Sequence, residues 1–162
     1  MSLPIHLLHA LLGFTVVITS SCQQPAQQIF VLPPGYVGPV VIVFDDHMGT
    51  ATEFRGTKRV YRIPDTGVLI TQFSTVRGIV DNEYVYESDG RSIKRLEYAE
   101  DLRTAMPQDT MVYGGGVSSG GRRLDQKGNI TETSPSMAFF VVGPVAHADS
   151  LIRVMEAQLM KL

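Results

Sequence analysis

The chain has 162 residues, of which 44% are hydrophobic and 19% charged, with 15 Gly and 9 Pro. These proportions are typical of a globular domain and exclude collagen-like and wholly disordered chains. Lys and Arg number 14 against 16 Asp and Glu, so the net charge is −2. Because there is no surplus of positive charge, we predict no nucleic-acid partner. The single Cys excludes an internal disulfide.

The first 21 residues have the composition of a secretion signal. They contain no Lys, Arg, Asp or Glu, and residues 5–18 are apolar except for two His and one Thr. A helix over residues 5–18 would rise about 21 Å, which is less than the roughly 30 Å of a bilayer's hydrocarbon core. This length favours a cleaved signal peptide at residues 1–21 over a permanent membrane span.

The segment Thr19-Ser20-Ser21-Cys22 resembles the lipobox of bacterial lipoproteins, in which an aliphatic residue and two small residues precede a Cys. Thr19 departs from the usual Leu, and no Lys or Arg precedes the apolar run. The resemblance implies that Cys22 carries fatty chains such as palmitate, with residues 22–28 as a tether. The membrane is then a partner through the lipid anchor. The alternative is a chance Cys after an ordinary signal peptide.

The residue after Cys22 and the composition of the tether bear on location. Gln23 rather than Asp follows the Cys, and residues 23–28 contain no acidic residue. By resemblance to the sorting of bacterial lipoproteins, these features favour the periplasmic side of the outer membrane. We therefore predict a lipid-anchored protein of the bacterial cell envelope.

Apolar and β-branched runs separated by Pro and Gly predict strands in the first half of the mature chain. Runs at 29–32 and 40–44 flank a Pro-Gly turn, and the second is apolar throughout, which favours a strand covered on both faces. Runs at 59–63 and 68–73 flank a turn at 64–67 and predict a hairpin. Runs at 83–87 and 92–98 flank Asp89-Gly90 and predict another hairpin.

The second half has fewer strand signals and ends in a helical pattern. Residues 99–106 indicate at most one helical turn, and strands are predicted at 110–113 and 137–142 on either side of a flexible loop at 114–122. From Asp149 the apolar residues follow helical spacing, with Asp149 or Ser150 as the expected N-cap. The helix should be structural, because its apolar stripe must be buried.

These elements predict one domain over residues 29–162. Seven or eight short strands followed by one amphipathic helix indicate a mainly β fold, an antiparallel β-sandwich or rolled sheet with a C-terminal α-helix. Transthyretin-like domains are an analogy at the level of the fold.

Three sequence elements resemble an uncharacterised family of bacterial lipoprotein domains. They are Leu32-Pro33-Pro34-Gly35-Tyr36-Val37-Gly38, Tyr61-Arg62-Ile63-Pro64 and Gly67-Val68-Leu69-Ile70-Thr71-Gln72, with Phe139-Phe140-Val141 as a late strand. The resemblance extends over roughly residues 29 to 143. It implies a lipoprotein domain and implies no particular activity.

Tyr84, Tyr86 and Tyr98 are the candidate binding residues, since they lie on the strands of one predicted hairpin. Tyr84 and Tyr86 share a face by the period of two along a strand. An exposed set of tyrosines could bind a protein or glycan partner. The alternative is that these rings pack in the core.

Catalytic and metal-binding patterns are weak. Residues 116–120 have the Gly-x-Ser-x-Gly spacing, so an envelope serine hydrolase using Ser118 or Ser119 with His147 is the alternative function. The Gly-rich run lacks the strand-to-helix context that a nucleophile elbow or a phosphate loop requires. Asp45-Asp46-His47 is interpreted as a solvated turn. We therefore predict a non-catalytic binding or accessory module with no catalytic residue, metal or cofactor.

Overall fold

The computed structural model describes residues 25–161, except for the side chains of residues 122, 123, 131 and 132. Eleven strands and one α-helix are present among these residues. The strands are β1 (Ala26–Leu32), β2 (Gly38–Val43), β3 (Glu53–Arg55), β4 (Lys58–Arg62), β5 (Val68–Ile70), β6 (Val80–Ser88), β7 (Arg91–Leu96), β8 (Thr110–Ser118), β9 (Gly121–Leu124), β10 (Ile130–Ser134) and β11 (Met137–Pro144). Short 3-10 turns at Leu102–Thr104 and Val145–His147 precede β8 and the helix α1 (Ala148–Leu159).

Two sheets enclose the main core. The first has the strand order β3-β4-β1-β6-β7, the second has the order β5-β2-β11-β8, and β9 and β10 form a separate pair. Fifteen buried side chains from both sheets and their connections form one hydrophobic cluster. The predicted mainly β, sandwich-like fold with a C-terminal helix is confirmed.

The sheets are mixed, whereas an antiparallel arrangement was predicted. β1 pairs in parallel with both β4 and β6, and β2 pairs in parallel with β5. The hairpin predicted from residues 59–63 and 68–73 is wrong, because β4 belongs to the first sheet and β5 to the second. The turn between them, like the turn between β1 and β2, carries the chain from one sheet to the other. A local turn signal does not reveal which sheet the next strand enters.

The β6–β7 hairpin is confirmed. The two strands pair antiparallel, with Tyr84 opposite Leu96. Asp89 and Gly90 in the connecting turn have φ values of 52° and 75°, as the Asp-Gly sequence predicts for a two-residue hairpin turn.

Helix α1 covers the outer face of the second sheet and contacts β2 and β11. Met155 is buried there, and Leu151, Ile152 and Leu159 are partly buried in the same cluster. The prediction that β2 is covered on both faces is confirmed, because Val41 on the helix side is as fully buried as the core residues of this strand. The helix begins earlier than predicted, with His147 at the N-cap position and Asp149 in the first turn.

The Gly-rich segment is a strand, so the predicted flexible loop at 114–122 is wrong. Gly114, Gly115 and Gly116 belong to β8, which pairs with β11, and β9 begins at Gly121. β9 pairs antiparallel with β10 in a separate two-stranded sheet. The low strand propensity of glycine is overridden here by pairing with β11.

The domain begins slightly earlier than the sequence predicted. β1 starts at Ala26, so residues 26–28 belong to the sheet and not to the tether. The predicted signal peptide and Cys22 lie outside the described residues. Within residues 25–161, no helix has the length and apolar character needed to cross a bilayer.

Candidate functional site: an aromatic pocket

An open pocket of about 520 Å³ lies between the two sheets, at the end of the sandwich where β1 begins. Strands β1, β6, β8 and β11 contribute walls, together with the segments that follow β2, β5 and β7. Its volume is within the range of small-molecule sites, about 300–1,000 Å³. Six aromatic residues line it: Phe30, Phe44, Tyr84, Tyr98, Phe139 and Phe140.

The floor of the pocket is part of a row of stacked rings that we call the aromatic ladder (Tyr61, Phe30, Tyr84 and Tyr98). Phe30 pairs in register with Tyr61 on one side and with Tyr84 on the other, so the three side chains share the inner face of the first sheet. The ring centroids of Phe30 lie 5.1 Å from Tyr61 and 5.0 Å from Tyr84, and Tyr98 lies 6.3 Å beyond Tyr84. Phe140 of the second sheet meets Phe30 and Tyr84 edge-on.

The three tyrosines named from the sequence occupy two environments. Tyr84 and Tyr98 line the pocket, and their exposed fractions are 6% and 42%. Tyr86 is buried in the core, where its hydroxyl donates a hydrogen bond of 2.6 Å to the Tyr36 carbonyl oxygen. Burial raises the pKa of Tyr84 to about 12, so its hydroxyl is neutral at physiological pH. The pocket therefore includes two of these tyrosines, and the third is a core residue.

The glycines of β8 allow two aromatic rings to lie against that strand. The Gly115 N–H donates a hydrogen bond of 3.2 Å to Tyr98 Oη, and a Cβ at Gly115 would lie within 3.3 Å of that ring. A Cβ at Gly116 would lie 2.6 Å from Cζ of Phe139. Both glycines line the pocket. Sequence reasoning missed their contribution because it interpreted the glycine run as a loop.

Polar groups are few and lie among the aromatic walls or at the mouth. Thr75 Oγ1 is buried and has no hydrogen-bond partner within the described part of the chain. Gln28 is largely buried, whereas Asp81, Asn82 and Glu100 are exposed. Asn82 Nδ2 donates a hydrogen bond of 3.3 Å to Tyr84 Oη. A largely apolar pocket with a small number of polar groups is the usual composition of a ligand site.

The geometry excludes a serine hydrolase that uses Ser118 or Ser119 with His147, which was the alternative function. Ser118 pairs with Met137 at one end of the β8–β11 ladder, and Thr110 pairs with Pro144 at the other end, just before His147. Eight residues of extended strand correspond to about 26 Å. Neither Ser118 nor its neighbour Ser119 can therefore contact the His147 ring, and a nucleophile and its base must be within hydrogen-bond distance.

The Asp45-Asp46-His47 segment forms a loop closed by its own hydrogen bonds. Asp46 Oδ1 accepts a hydrogen bond of 2.8 Å from the Met48 N–H, and Asp45 has a φ of 60°. Among the described residues there is no group of three or more His, Cys, Asp or Glu arranged to hold a metal ion.

Residues 24–137 match a family of unknown function, DUF6843. The chain belongs to this family. The matched region contains the whole aromatic ladder and all of the pocket wall except Ala138, Phe139 and Phe140. No curated protein matches the chain. A solved structure that is similar to it is the "Putative Lipoprotein from Bacillus anthracis", at 16% identity over 74% of this chain and 71% of that chain, with a TM-score of 0.48.

Proposed function

We propose that this member of the DUF6843 family is a lipid-anchored, non-catalytic binding module of the bacterial envelope, and that the aromatic pocket is its ligand site. The observation that carries the proposal is the pocket itself, a concave space of about 520 Å³ with aromatic walls and few polar groups. Thr75 Oγ1, which is buried without a partner in the described structure, supplies a group that a ligand would satisfy.

The anchor is supported by the sequence around Cys22 and by where the domain begins. Three residues lie between Cys22 and Ala26, and the four steps of extended chain from one to the other cover at most about 14 Å. Gln28, two residues further along β1, already lines the pocket. A lipid at Cys22 would therefore hold the pocket end of the sandwich next to the membrane, and Gln23 after the Cys favours the periplasmic side of the outer membrane.

Metabolic labelling tests the anchor. Cells that express the full chain are grown with a palmitate analogue, and the protein is compared with its Cys22→Ser variant. We expect label on the wild type and none on the variant, because Cys22 is the only thiol. Equal labelling of the two proteins would contradict the anchor and leave the pocket proposal standing.

A fragment screen by NMR tests the pocket. Small aromatic and aliphatic fragments should shift the backbone amides of Gly115, Gly116 and Asn82, which line it. The variant Ala138→Met places a larger side chain on the pocket wall and should abolish those shifts. The matched control Val154→Met lies on an exposed face of α1 and should leave them unchanged. Fragments that bind both variants equally, or no fragment binding at all, would refute the assignment of this pocket as the ligand site.

A further inference from the structure

We infer that the pocket end of the sandwich rests on the lipid bilayer and inserts a rim of exposed apolar side chains into it. The inference rests on the proposed function, because it takes the lipid at Cys22 as the anchor, and it adds a contact between the folded domain and the membrane. Two features of the structure support it, the apolar side chains at this end and the short chain that joins this end to the anchor.

The apolar side chains surround the mouth of the pocket, and we call them the apolar rim (Ile79, Val80, Tyr98 and Val117). Val80, Tyr98 and Val117 line the pocket. Ile79 directly precedes Val80. All four are exposed, and the exposed fraction reaches 77% at Ile79 and 65% at Val117. Exposed apolar residues that cluster at one site mark a contact with another protein or with a membrane.

The rim lies beside the residue at which the chain enters the fold. The Ala26 N–H donates a hydrogen bond of 3.0 Å to the Ile79 carbonyl oxygen, and Ala26 pairs in register with Val80. The extended chain from Cys22 to Ala26 covers at most about 14 Å. Because the anchor itself lies in the bilayer, the bilayer is the partner that the rim meets first.

A tether of this length makes even a weak contact effective. A short flexible linker gives an effective concentration on the order of mM for a second contact between the same two partners. The strength of an interfacial contact grows with the apolar area that it buries. A few apolar side chains that could not hold a free protein on a membrane are therefore sufficient to orient a tethered one.

Charge does not account for the contact, because the pocket end carries residues of both signs. Asp45, Asp81 and Glu100 are acidic residues of this end, and Arg59 and Arg77 are basic residues of the same end. The contact should therefore form on a neutral lipid. It should also resist salt, which screens exposed charges and leaves apolar contacts in place.

The test measures which end of the domain enters the membrane. The full chain is expressed, processed by the cell and reconstituted in vesicles of phosphatidylcholine. Cys22 is the only thiol of the chain and its lipidation consumes that thiol, so a Cys introduced elsewhere takes a fluorescent label alone. One protein carries the label at Ile79→Cys and another at Ile93→Cys. Lipids with a nitroxide spin label then quench any fluorophore that enters the bilayer.

Ile93 is the matched control, because it is an exposed isoleucine at the opposite end of the sandwich. It follows Ser92, which pairs with Glu87 on β6. Seven steps of extended strand, or about 23 Å, separate Glu87 from Val80. We expect the spin-labelled lipid to lower emission at least about twofold for the label at position 79 and by less than about a tenth at position 93, because interfacial insertion extends only about 5–10 Å.

A second pair of variants assigns the insertion to the rim. With the label at Val117→Cys, the substitution Ile79→Asp should remove most of the quenching, since a charge in the bilayer is costly. Ile93→Asp should leave the quenching at position 117 unchanged. Both substituted isoleucines are exposed, so neither change disturbs the core. The quenching in the protein without these substitutions should persist at about 0.5 M NaCl.

Each result supports or overturns the inference. Equal quenching at positions 79 and 93 would show that the domain has no preferred orientation on its tether, and would overturn it. A label at position 79 that the lipid does not quench would also overturn it, including the case in which a second copy of the chain covers the rim. Labelling of wild-type Cys22 by the thiol reagent would contradict the anchor itself and with it the inference, so the two failures are distinguishable.

Discussion

Gly67 lies where the chain returns from the first sheet to the second, and replacing it by Ala should destabilise the domain strongly. Its φ is +76°, in the left-handed region. A Cβ there would collide with Tyr36 Oη and with the Pro39 carbonyl oxygen, two atoms that are hydrogen-bonded to each other. The Gly67 carbonyl also accepts a hydrogen bond from Val41 N at 2.9 Å, so a shift of this turn would be transmitted to β2.

The expected loss of stability is the sum of three contributions. The left-handed backbone costs an alanine about 1 kcal/mol. Breaking the hydrogen bond from Tyr36 to Pro39 costs about 1 kcal/mol. Displacing the Tyr36 ring and the local backbone costs about 1–2 kcal/mol. The total of about 3–4 kcal/mol is a large part of the 5–15 kcal/mol that stabilises a typical domain.

Gly35→Ala is the matched control. Gly35 has nearly the same φ, +71°, but a Cβ there would have no atom within 4 Å. Gly35→Ala should therefore lower the free energy of unfolding only by the cost of the left-handed backbone, about 1 kcal/mol. Thermal unfolding followed by circular dichroism should show a Tm about 10 °C lower for Gly67→Ala and about 3 °C lower for Gly35→Ala. Equal shifts for the two variants would refute the proposed collision with Tyr36.

Three further predictions concern the core and the ion pairs. The Arg62 guanidinium holds the pKa of Glu87 below its usual range, so the stability from this carboxylate is present above the unfolded pKa of about 4.3 and is lost as the pH falls through the lower folded pKa. In urea unfolding, Glu87→Gln should therefore be less stable than the wild type at pH 7, and the difference between the two proteins should disappear in acid. Deletion of residues 149–162 exposes the apolar surface beneath α1 and should give an aggregated or unfolded protein in size-exclusion chromatography, whereas a monomeric, cooperatively folded product would show that the helix is dispensable. Tyr86→Phe removes the donor to the Tyr36 carbonyl and should cost about 1–2 kcal/mol in the same urea assay, unlike Tyr98→Phe at the half-exposed end of the ladder.

Features with a local cause could be predicted from the sequence. The β6–β7 turn follows from Asp89-Gly90, because these residues tolerate the positive φ of a two-residue hairpin turn. The C-terminal helix follows from apolar spacing, and the double coverage of β2 follows from its uninterrupted apolar run. Each of these signals lies within a few residues of the structure that it specifies.

The sheet to which each strand belongs was decided only by tertiary structure. The turns before β2 and β5 have the Pro and Gly content of hairpin turns, yet both cross between sheets, because β1 finds its hydrogen-bond partners in β4 and β6. The glycine run became a strand because β11 pairs with it, and the rings of Tyr98 and Phe139 occupy the space that its missing side chains leave. The pocket depends both on the sheet that each strand joins and on the pairing of the glycine run with β11. It is formed by contacts between residues far apart in the chain, and no local pattern encodes those contacts.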